Sequence, residues 1–91
     1  MTLNNSLLTT GAAPAPATQP LTMAGAGQPL QLVDIHAGHS LTHRLAEMGL
    51  TRGVTLQVIQ ANGGPLLISV RGSRVALGRG IAHKLHVVPA V

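Results

Sequence analysis

The chain has 91 residues, 45% of them hydrophobic, yet Phe, Trp, Tyr and Cys are absent. One small core must therefore come from Leu, Val, Ile, Ala and Met without a disulfide. Six Lys plus Arg against two acids give a net charge of +4, with five histidines besides; cysteine-based zinc ribbons and redox sites are excluded, as is paired-carboxylate catalysis, and no run approaches the ~20 apolar residues of a bilayer-spanning helix.

Met1 to Val33 carries no charged side chain. Within it, Thr9 to Pro20 is small, Pro-rich and patternless, and cannot bury enough surface to offset its ordering entropy. Residues 1–20 are expected to be a disordered Ala/Pro-rich tail, and residues 21–91 the folded domain. The start lacks a positive n-region and a long apolar run, so no secretory signal is read and a cytoplasmic location is expected.

Leu30 to Ile35 is rich in branched residues and reads as a strand. Leu41, Leu45 and Met48 then recur at i, i+4 and i+7, which predicts a helix over 40–48 with one inward apolar stripe. Ser40 is its expected N-cap and Gly49 its left-handed stop. Leu50, just past that stop, suits either the core or an exposed apolar anchor. Gly53 to Gln60 alternates with Val54, Leu56 and Val58 on one face, and Asn62 to Pro65 supplies a hairpin loop. Leu66, Ile68 and Val70 alternate again before the turn Arg71 to Arg74. Val75 and Leu77 continue the pattern, Gly78 to Gly80 interrupts it, and Leu85 to Val88 closes the chain. Short strands parted by glycine turns, with one short helix after an early strand, predict a mainly β fold: a small antiparallel barrel.

The histidines are candidate ligands. His39, His43 and Glu47 fall at i, i+4 and i+8, opposite the apolar stripe, where they could hold Zn²⁺ or Fe²⁺ with His36 as a further ligand. His83 and His86 lie near the last strand, where His86 should point outward as a solvated side chain. Arg44, Arg52, Arg71, Arg74 and Arg79 are scattered over turns and strands. Without stacking aromatics they argue against nucleic acid as a partner. Arg71 and Arg74 flank Gly72, as a hairpin tip suited to an acidic partner surface would. Gly63-Gly64-Pro65 and Gly78-Arg79-Gly80 lack phosphate-loop spacing. Ser6, Ser40, Ser69 and Ser73 have no His/Asp partners at useful spacing, so no catalytic residue is assigned. The absent aromatic groove also argues against a proline-rich peptide ligand.

The block Arg44-Leu45-Ala46-Glu47-Met48-Gly49-Leu50-Thr51-Arg52-Gly53, followed by Val70-Arg71-Gly72 and Val75-Ala76-Leu77, with Ala82 before a Leu-His-Val ending, resembles the FeoA family of ferrous iron transport. The resemblance covers about Leu21 to Val88. It implies an SH3-like barrel, shared with the C-terminal domain of iron-dependent repressors. It also implies a non-enzymatic, cytoplasmic accessory protein that needs no cofactor and binds and modulates the FeoB-type GTPase transporter. On that reading Arg44, Met48, Leu50 and Arg52 form the partner-binding surface. The alternative is a transition-metal sensor or delivery domain using His39, His43 and Glu47. Exposed barrel edges leave room for a homo-oligomer.

Overall fold

The structure is a computed structural model that describes residues 17–90. Six strands form one antiparallel sheet: β1 (Gln19–Pro20), β2 (Pro29–Ile35), β3 (Thr55–Gln60), β4 (Leu66–Val70), β5 (Ser73–Leu77) and β6 (Leu85–Pro89). Their spatial order is β1-β6-β2-β3-β4-β5. Helix α1 (His39–Glu47) joins β2 to β3, and the short helix α2 (Arg79–Ala82) joins β5 to β6. A 3-10 turn at Leu21–Met23 follows β1. The fold is mainly β, as the strand pattern predicts, and is consistent with the SH3-like fold that the resemblance implies.

Period-2 alternation builds the core. Leu30 and Leu32 on β2, Leu56 and Val58 on β3, Leu66, Ile68 and Val70 on β4, and Leu85 and Val87 on β6 are all buried. They form one cluster with Leu21, Ile35, Leu45, Leu50, Leu77 and Ala82. Every large member is aliphatic, so the core rests on interdigitated branched side chains with no aromatic plate. No polar or charged side chain is buried among the described residues.

Several local details depart from the sequence reading. Most of the expected tail, residues 1–16, lies outside the described residues, but Gln19 and Pro20 pair with Val87 and His86 as β1. The helix begins earlier than its expected cap. Gly38 is the N-cap, in extended conformation (φ −69°, ψ 173°), and its carbonyl accepts the Thr42 N–H at 3.0 Å. Ser40 therefore sits inside the first turn and caps nothing. The Gly78–Gly80 break is itself partly helical, because the Gly78 carbonyl accepts the Ala82 N–H at 2.9 Å and starts α2.

The end of α1 settles the fate of Met48 and Leu50. Met48 is the C-cap, with φ −90° and ψ 3°, and Gly49 takes φ +90°. The Leu50 N–H reaches back to the Leu45 carbonyl at 2.9 Å, and the Gly49 N–H to that of Ala46 at 3.0 Å. This pair of bonds is a Schellman motif, whose second residue beyond the cap packs against the last apolar residue of the helix. Leu50 accordingly packs into the core with Leu45. The predicted stripe is thus corrected at its end: Leu45 is buried and Leu41 packs partly against the core, but Met48 is 40% exposed.

Candidate functional site

Four side chains proposed from the sequence for partner contact cluster around this helix end, with different roles. Arg44 and Met48 are one turn apart on the same side of α1, and both are exposed. Arg52 projects from the turn that follows, which the Gly53 N–H clamps to the Leu32 carbonyl at 2.6 Å. Leu50 is 0% exposed and contacts no partner directly. It is the internal anchor that fixes the turn.

Arg52 enters a polar cluster that the sequence reading did not assemble. Its Nη2 donates to Asp34 Oδ1 at 3.1 Å, and His36 Nε2 donates to Asp34 Oδ2 at 2.9 Å. The Ile35 backbone N–H also donates to Oδ1, at 2.9 Å. The Arg52 bond above all, then those from Ile35 and His36, hold the Asp34 carboxyl below its ordinary value, because each favours the ionised form. The imidazoles of His36 and His86 stack, with centroids 3.9 Å apart and planes inclined by 30°.

The geometry has a simple source. Asp34 and His36 alternate onto one side of the strand end, and Asp34 pairs across to His86. Between Leu32 and Asp34 the register with β6 shifts, leaving Val33 as the extra residue of a bulge, a device that re-aims side chains. The outward position expected for His86 is thus filled by a stacked, half-buried ring. His83 has its own neighbour, Thr22 Oγ1, 3.3 Å from its Nδ1. The i, i+2 spacing of Asp34 and His36 was the one local signal of the cluster; the partnership with His86 lies fifty residues away in sequence.

The proposed metal ligands do not converge. His43 Nδ1 lies 3.9 Å from Glu47 Oε2 on an exposed helix face. An i to i+8 row runs along ~12 Å of helix, so one turn separates each ligand from the next. Among the described residues no three His, Cys, Asp or Glu side chains form a metal-holding group. The set does not fit a three-ligand ion site, and His36 is committed to Asp34.

Arg71, which the sequence places with Arg74 at a hairpin tip suited to an acidic partner surface, lies on such a tip and also reaches the helix end. The loop between β4 and β5 is Arg71-Gly72 alone, because Val70 pairs with Ser73. Both loop residues have positive φ, +51° and +78°, the signature of a type I′ hairpin turn. The Arg71 side chain crosses the end of α1: a Cβ built on Gly49 would meet its Cδ at 3.3 Å. The hairpin tip and the helix end are therefore one continuous, basic region.

The described residues enclose no pocket, and none of their helices is long and apolar enough to cross a membrane. What the geometry offers is an exposed surface. The FeoA domain model matches residues 19–89. A relative from Methanocaldococcus jannaschii described as a putative Fe(2+) transport protein A is 41% identical over 71 residues, spanning 78% of this chain and 87% of the relative. A crystal structure described as an iron uptake regulatory protein (FeoA) is 40% identical and superposes with TM-score 0.72, covering 79% of this chain and 96% of its own. A manganese-dependent transcriptional repressor shares the fold at 22% identity and TM-score 0.75, over 84% of this chain and 38% of the repressor.

Proposed function

This chain belongs to the FeoA domain family of ferrous iron transport, and we propose that it is a non-enzymatic accessory protein that binds and modulates a FeoB-type GTPase transporter from the cytoplasmic side. The observation that carries this reading is the match of the whole folded domain, residues 19–89, to that family. An exterior without a pocket among the described residues suits a regulator that acts by contact.

The contact surface is the end of α1 and the turn after it. Met48 supplies an exposed apolar centre, Arg44 and Arg52 flank it with positive charge, and buried Leu50 holds the turn in register. Interfaces favour this combination of an apolar anchor with arginines around it. Binding of the transporter's soluble cytoplasmic domain, measured by calorimetry with and without guanine nucleotide, tests the reading. The parent should bind, and the double reversal Arg44→Glu/Arg52→Glu should weaken binding at least ~tenfold while the circular dichroism spectrum stays unchanged. Binding that survives the reversal would move the surface elsewhere. No binding by the parent would refute the transporter reading itself.

A further inference from the structure

Among the described residues, strand β5 is the last strand of the sheet and pairs only with β4. The two-residue turn makes Val70 and Ser73 a hydrogen-bonded pair, so Val75 and Leu77 also direct their backbone groups toward β4. Those of Arg74 and Ala76 point away from the sheet. No backbone hydrogen bond to either is formed among the described residues, and both residues are exposed. This edge is a template for one more strand.

Its charge selects the occupant. Arg71, Arg74 and Arg79 lie at the tip, along and just beyond the edge, and none has a carboxylate within salt-bridge distance among the described residues. The chain cannot supply a complement from within. Its acidic side chains are Asp34 and Glu47, and residues 1–33 carry no charged side chain. A second copy would bring the same arginines against the same edge. Arg71 adds a further mark: it holds φ +51°, a conformation that glycine or asparagine adopts at lower cost, so an arginine is kept at the tip despite the backbone, its chain running from there across the end of α1.

We propose that the β5 edge is a docking strand for an acidic, extended segment of another protein, which pairs with the outward backbone of Arg74 and Ala76 while its carboxylates meet Arg71, Arg74 and Arg79. This is β-augmentation, in which the backbone gives affinity and alternate side chains give selectivity. It does not depend on the identity of the transporter.

The test uses a blocked peptide of alternating Val and Glu as the probe, with a Val/Lys peptide as its control, followed by NMR on the ¹⁵N-labelled full chain. The Val/Glu peptide should slow amide exchange at Arg74 and Ala76 by ~tenfold or more while leaving Ser73 and Val75 unchanged. Its affinity should fall at least ~tenfold between about 50 and 300 mM salt. Ala76→Pro removes an outward donor that β4 does not use, and should abolish the protection. Arg74→Glu leaves the backbone intact, should also abolish binding of the Val/Glu peptide, and should admit the Val/Lys peptide. Unprotected Arg74 and Ala76 amides, undiminished binding in folded Ala76→Pro, or equal affinity for both peptides would overturn the proposal. So would displacement of the peptide by an equimolar single-stranded oligonucleotide, or a parent chain that dimerises through β5.

Discussion

Replacing Leu50 with alanine tests whether the turn after α1 is anchored from inside. Leu50 is 0% exposed, and its backbone N–H, which alanine retains, bonds the Leu45 carbonyl at 2.9 Å. The substitution therefore removes three carbons from the core and no hydrogen bond. At ~0.8 kcal/mol per buried methylene the transfer loss is roughly 2.4 kcal/mol, and the residual cavity raises it to about 3–4 kcal/mol. Residues 17–90 should carry a total stability of only ~4–11 kcal/mol at typical values per residue. The variant should therefore melt roughly 10–30 °C lower than the parent. Met48→Ala removes a side chain 40% exposed and should cost less than ~1 kcal/mol. With no Trp or Tyr in the chain, unfolding is followed by far-UV circular dichroism in guanidinium. The denaturant slope should stay constant across the series. In transporter binding the order reverses, because Met48→Ala removes contact area while Leu50 touches nothing outside. If Leu50→Ala proves no more destabilising than Met48→Ala, the internal-anchor argument fails.

Three further outcomes follow from the same geometry. Gly49→Ala places a side chain at φ +90° against Arg71 and should cost about 1–2 kcal/mol in guanidinium unfolding. Arg71→Asn relieves the type I′ turn and should stabilise the protein by about 0.5–1 kcal/mol, while weakening capture of the acidic peptide. Because the Asp34 carboxyl is held below its ordinary value, its contribution is present at neutral pH and fades as pH falls below ~4 through the folded-state value. Asp34→Asn should be less stable than the parent at pH 5, and the gap should narrow by pH 2.5 in parallel urea titrations.

The sheet was legible because each buried strand obeys one local rule. Leu66, Ile68 and Val70 can share a face only if the chain is extended, and the same holds for Leu56 with Val58 and Leu85 with Val87. What escaped the sequence depends on pairing over long separations. Gln19 and Pro20 look like tail until β6 offers them Val87 and His86, and no composition signal announces a two-residue strand. His86 reads as solvated until the β2–β6 register sets it beside His36. Leu50 is an intermediate case: a glycine stop followed by an apolar residue is the signature of a Schellman return, so the signal was present locally, and only the count of helical positions pointed to Met48 instead.

That misassignment shows how core and surface are linked here. One glycine at φ +90° reverses the chain, sends Leu50 inward to the place the helical stripe assigned to Met48, and leaves Met48 outside. The same reversal delivers Arg52 to Asp34 at the end of β2, so the candidate contact surface is tied to the sheet by a carboxylate and to the core by a leucine. A surface held at both points loses little side-chain freedom on binding, which lowers the entropic cost of association. Loosening either tie should therefore reduce affinity even where the exposed residues are unchanged. Leu50→Ala, assayed at a temperature where it remains folded, should bind more weakly than the parent although its substituted atoms never reach the partner. Its loss should appear as a less favourable binding entropy, and an unchanged entropy would show that the turn keeps its shape without the leucine.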